Sequence, residues 1–161
     1  MDICSVINEM ISYYKGDVKR INHFLKVYSF SKTIGELEKL DKDTQFILEV
    51  AAAMHDIGIK VSEEKYNSSA GKYQELEGPI VAKEMLTKLN FSKDIIDRVC
   101  FLIGHHHTYS NIEGIDYQIL VEADFLVNIF EDEINKDSIK SIKEKIFKTK
   151  SGIKILNDLY L

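Results

Sequence analysis

Five histidines fall in only three places along the chain: His23, His55 and the run His105-His106-His107. His55 is followed by Asp56, and a further carboxylate, Asp124, sits among Leu120, Val121 and Val127 at helical spacing. An aspartate on an apolar stripe points inward, and an unpaired buried carboxylate is costly. A bound cation resolves that cost. His23 raises the same question, because it lies among Ile21, Phe24, Leu25 and Val27. Taken singly, His23 also reads as a hydrogen-bonded core histidine, Asp124 as a buried acceptor and the triple histidine as a solvated loop. Taken together, imidazoles and carboxylates suit zinc, iron, manganese or a related ion. Neighbours on a helix differ by about 100° in direction. His55 and Asp56 can therefore share an ion most easily at a helix end, where Gly58 places them.

The elements that must position these side chains read as helices, from apolar spacing near 3.6. A first helix covers Met1 to Tyr14, with Gly16 as its stop, and Asp17 caps a second that runs to about Lys39. Asp41 or Asp43 caps a third, roughly Thr44 to Ile57, ended by Gly58. Residues 58–76, with Ser68-Ser69-Ala70-Gly71-Lys72, are the longest stretch without a period and read as a loop. Loops of that length are often functional. Glu77-Gly78-Pro79 opens a fourth helix to about Leu89, with proline tolerated in its first turn. Ser92 caps a fifth to about Gly104, Asp116 starts a sixth through Phe130, and Asp137 and Ser151 begin two shorter ones. The expected architecture is one all-α domain over 1–161, a multi-helix bundle with its motifs in about 17–130 and its last helices in about 137–161.

Composition narrows the function classes. At 161 residues, 45% hydrophobic and 29% charged, the chain is globular rather than disordered. One proline and eight glycines leave little turn chemistry for a many-stranded barrel. A net charge of −5 argues against an extended nucleic-acid surface. Cys4 and Cys100 have no metal-type spacing and read as reduced thiols. With no signal pattern at the start and no long apolar run, a cytoplasmic protein without a membrane role is expected.

The order His23, His55-Asp56, Asp124 in an all-α domain resembles the HD-domain superfamily of metal-dependent phosphohydrolases. The local contexts resemble it too: Arg20-Ile21-Asn22-His23-Phe24-Leu25-Lys26-Val27, Ala51-Ala52-Ala53-Met54-His55-Asp56-Ile57-Gly58, and Glu122-Ala123-Asp124-Phe125-Leu126. The resemblance implies that His23, His55, Asp56 and Asp124 ligate one divalent transition metal (Mn, Fe, Co, Ni or Zn). Many members hold a second ion, with Asp56 bridging; His105 and His106 match the usual histidine pair in position. The family's central-loop histidine is missing, and Gln74-Glu75-Leu76-Glu77-Gly78-Pro79 stands there instead. Glu77 would then serve as an oxygen ligand or as a proton donor.

The implied activity is hydrolysis of a nucleotide or another small phosphate ester by metal-activated water, with Asp56 orienting the water. Phosphate needs cations near the site. Arg20 lies at i−3 from His23, Lys60 follows the His-Asp motif, and Lys72 sits in the glycine-containing stretch. Tyr73 and Tyr109 are candidates to stack on a base or sugar. Two other functions go with the same scaffold: a di-iron oxygenase, and a metal-binding sensor without turnover.

Overall fold

The first three helices start at capping residues that the sequence offers. The computed structural model describes residues 2–161, so Met1 lies outside the described residues. Asp2 accepts the Ser5 N–H and opens α1 (Ile3–Tyr13). Gly16 turns the chain at φ +87°, a conformation that favours glycine. Asp17 then accepts the Arg20 N–H at the head of α2 (Val18–Leu37). Of the two candidate caps for α3 (Lys42–Met54), Asp41 is the one used; it accepts from the N–H groups of Asp43 and Thr44.

The stretch 58–76 is not a loop. It holds α4 (Ile59–Tyr66) and the start of α5 (Gly71–Lys88), and only residues 67–70 connect them. Both helices lack a clean apolar stripe, because α5 buries Gln74, Glu77 and Gly78 alongside Ala82, Met85 and Leu86. Periodicity therefore carries no signal there. Pro79 lies inside α5 rather than in a first turn. The remaining helices are α6 (Lys93–Ile103), α7 (Ile115–Glu131), α8 (Lys136–Lys145) and α9 (Lys150–Tyr160). They match the expected elements to within a few residues. Among the described residues there are nine helices and no strand.

One core unites them. α3 is at its centre and contributes Leu48 and the continuous buried run Val50 to Met54; α2 and α7 pack along it and on each other. A continuous buried run is expected of a helix covered on all sides. Phe24, Leu102, Leu120 and Tyr117 fill the same core. None of the helices is long and apolar enough to cross a membrane.

The turn after α3 is clamped from two sides. The Tyr14 hydroxyl at the end of α1 donates to the Asp56 carbonyl at 2.7 Å. On the other side Gly58 abuts α5, where a Cβ would stand 2.7 Å from the Gln74 carbonyl oxygen and 2.8 Å from the Gly78 nitrogen. Both neighbours are backbone atoms that cannot swing aside. The end of α3, α5 and the turn after α6 thus meet at one place.

Candidate metal centre

At that place four donor atoms converge from three helices. His23 Nε2 of α2 lies 3.1 Å from His55 Nε2, 3.2 Å from Asp56 Oδ2 and 3.2 Å from Asp124 Oδ1 of α7. His55 Nε2 lies 3.4 Å from each of the two carboxylate oxygens. Donors around one tetrahedral ion with bonds of ~2.0–2.1 Å stand about 3.3 Å apart. His55 is the C-cap of α3, so its side chain and that of Asp56 leave the helix where it unwinds.

The hydrogen bonds at the far ring nitrogens decide what these donors carry. His55 Nδ1 donates to the Ala52 carbonyl at 2.8 Å, and His23 Nδ1 donates to Glu131 Oε2 at 2.9 Å. Each neutral ring therefore aims an Nε2 lone pair into the cluster. Two lone pairs and two carboxylates facing one another repel unless a cation sits among them. Burial lowers the affinity of His23 and His55 for protons, but the hydrogen bonds and charges of Asp124 and Asp56 outweigh it and raise both. Burial likewise works to raise the Asp56 and Asp124 carboxyls, yet His55 and His106 hold Asp56, and His23 and His55 hold Asp124, below the usual carboxylate range.

A second donor group adjoins the first: Asp56, His106 and His107 offer ligand atoms within 4.8 Å of one another. His106 is fully buried, and its Nδ1 donates to the Ile103 carbonyl at 2.7 Å. Its Nε2 faces Asp56 Oδ1 at 3.5 Å and has no hydrogen-bond partner. A buried, unpartnered lone pair beside a carboxylate calls for a partner, which a cation or a water supplies. His107 Nε2 pairs with Gln74 Oε1 at 3.0 Å. Burial above all pushes the His107 ring down to about 4, so it is neutral at ordinary pH. Glu75 fixes this turn by accepting from the His107 N–H and the Thr108 hydroxyl.

A family model for the HD domain matches residues 20–148. The chain belongs to the HD-domain family. The crystal structure of a predicted HD superfamily hydrolase from an uncultured Thermotogales bacterium shares the fold. Its TM-score is 0.70 at 22% identity, over 96% of this chain and 83% of that one. No curated protein matches the sequence.

The HD-domain frame brings His23, His55, Asp56 and Asp124 together, and it corrects four other expectations. His105 does not join the cluster: its Nδ1 bonds the Phe101 carbonyl and its ring stacks on Phe101 at 4.2 Å. His107 takes the place expected of His105, so the pair is His106 and His107. Glu77 is held elsewhere, with one oxygen accepting from the Tyr66 hydroxyl at 2.8 Å and the other paired with Lys65 at 3.0 Å. Those two partners, Tyr66 first, keep its carboxyl below the ordinary range, which ill suits a proton donor. Lys60 lies over the Tyr13 ring and Lys72 over the Tyr73 ring, and neither lines the cleft that opens onto the site.

Arg20 does line that cleft, together with Lys19, which the sequence pattern does not single out. Arg20 is engaged by Asp17 at 3.1 Å and by Glu63 of α4 at 2.5 Å. Glu131 is likewise not singled out by the sequence, though it stands one turn beyond Val127 on the helix of Asp124. It links Lys26 (2.7 Å) to His23. A carboxylate on the far nitrogen of a ligating histidine fixes its tautomer and orientation. Glu131→Ala is expected to weaken metal affinity about 10–100-fold. Competition against a chelator of known affinity reads this directly, and an unchanged value would mean that packing alone orients His23.

Proposed function

We propose that this HD-domain protein is a metal-dependent phosphohydrolase acting on a small phosphate ester. The observation that supports it best is the set of Nε2 lone pairs of His23 and His55 converging with Asp56 and Asp124, each ring locked by its far nitrogen. These four residues would hold a divalent transition metal, which would lower the pKa of water from about 15.7 toward ~7 and offset charge on a phosphoryl oxygen. His106 and His107, with Asp56 shared, would hold a second ion.

The chain's own groups do the rest. Asp56 Oδ1 is turned away from the first cluster, so it can accept a hydrogen bond from the attacking water and aim it. Asn128 donates to Asp124 Oδ1 at 3.1 Å and steadies that carboxylate. Arg20 and Lys19, on the cleft wall, meet the negative charge of the phosphate. In the reaction the water oxygen forms a new P–O bond, the ester P–O bond breaks, and a proton from the water ends on the departing alkoxide.

Phosphate release from para-nitrophenyl phosphate by the manganese- or cobalt-loaded protein tests the proposal. Turnover that is lost with a chelator and restored by the metal is expected. Absence of turnover with every metal would contradict it. The second donor group supports one competing function, that of a di-iron oxygenase. Two irons per chain after anaerobic purification, with an oxygen-dependent reaction, would replace the hydrolase.

The contact between Arg20 and Glu63 sets up a further expectation. Glu63 occupies the guanidinium that a phosphate would use. Glu63→Gln should therefore lower KM about two- to fivefold, the scale of an exposed ion pair worth up to ~1 kcal/mol, with little change in kcat. A raised KM would mean that Glu63 positions Arg20 rather than competing for it.

A further inference from the structure

The cleft of about 460 Å³ beside His23 and Asp56 is polar almost throughout. Lys19 and Arg20 stand with Asp17, Ser69, Asn128 and Asp132; Ile59 is the one apolar residue, and no phenylalanine or tyrosine lines it among the described residues. A nucleobase draws its binding from an apolar slot and from stacking on aromatic rings. The two tyrosines that the sequence offers for stacking are already used. Tyr73 stacks on Tyr66 at 4.2 Å, nearly parallel, with Lys72 also against its ring at 4.7 Å. Tyr109 packs against Phe125 at 5.2 Å.

The polar groups suit a different body. Asp17 and Asp132 accept hydrogen bonds, the Ser69 hydroxyl donates and accepts, and Asn128, with one N–H bonded to Asp124, keeps its other N–H and its carbonyl oxygen. Acceptors that outnumber donors match a ligand dense in hydroxyl groups. Resting on the phosphohydrolase function proposed above, we infer that the substrate is a small polyol or sugar phosphomonoester. Its phosphate lies between Arg20 and Asp56, and its hydroxyls face Asp17, Ser69, Asn128 and Asp132. Hydrolysis yields the free polyol, which takes a proton from water, and inorganic phosphate, which takes the water oxygen.

The manganese-loaded full chain would be given glycerol 3-phosphate, hexose monophosphates, nucleoside 5′-monophosphates and para-nitrophenyl phosphate. The best polyol or sugar phosphate should exceed every nucleotide in kcat/KM by about tenfold or more. Release that favours the nucleotides would overturn the substrate class alone. No release from any ester, para-nitrophenyl phosphate included, would overturn the phosphohydrolase function and this substrate with it. Binding gives a readout without turnover: in excess EDTA, the sugar phosphates should raise the melting temperature more than nucleotides at equal concentration. Equal rises would count against the inference. Ser69→Ala combined with Asp132→Asn changes two exposed side chains and should cut the preference about tenfold. An unchanged preference would overturn the proposed contacts.

Discussion

Asp56→Ala is expected to strip the protein of its metal and to lower kcat/KM about a thousandfold or more, because several catalytic contributions are lost at once. Asp56 is the one residue common to both donor groups: Oδ2 faces His23 and His55, and Oδ1 faces His106. Its removal takes an anionic ligand from the first group, the bridge to the second, and the acceptor that aims the water. The fold should survive, because the hydrogen bond that clamps this turn is made by the Asp56 carbonyl and not its side chain. Metal content by mass spectrometry, phosphate release and the helical circular dichroism signal separate these effects. Unchanged metal content with unchanged activity would show that the site lies elsewhere.

The second large effect concerns stability. Gly58→Ala is expected to cost about 3 kcal/mol, the upper end of overpacking penalties, and to lower the melting temperature by roughly 6–12 °C. The added Cβ would meet the Gln74 carbonyl at 2.7 Å and the Gly78 nitrogen at 2.8 Å, and two helix backbones would have to separate. Gly58 has φ −75°, so the penalty is steric and not one of backbone conformation. The same movement displaces Gln74 from His107 and shifts Asp56, so metal affinity should fall together with stability. A melting temperature within about a degree or two of the parent would mean that this turn is looser than the structure places it.

The four central residues were legible because each broke a rule that its neighbours obeyed. His23 and Asp124 are polar groups on apolar stripes, and His55-Asp56 stands at the end of an alanine-rich run closed by a glycine. The triple histidine was legible only as a cluster. In the turn after α6, side-chain direction follows no helical period: His105 still packs back on Phe101, His106 turns into the core and His107 swings toward Gln74. Spacing could not tell which two would face Asp56.

Glu77, Lys60 and Lys72 were misplaced for one shared reason. The helices that carry them, α4 and α5, bury polar groups and glycine where an apolar stripe would have announced them. Once α5 is seen to begin at Gly71, Glu77 turns toward Lys65 and Tyr66 of α4. Gln74, one turn earlier, is the α5 side chain that pairs with a histidine ring. The signal for Glu131 was present, an acid one turn beyond the apolar stripe of α7. The need for a partner on the far nitrogen of His23 would have pointed to it.

Whether His23, His55, Asp56 and Asp124 together hold one divalent metal is tested most directly by anomalous scattering from crystals of the full chain soaked in manganese. The expected result is an anomalous peak bonded to His23 Nε2, His55 Nε2 and one oxygen each of Asp56 and Asp124, with any second peak between Asp56, His106 and His107. A well-ordered crystal with no peak among those four residues, or with manganese bound only at other sites, would contradict the assignment.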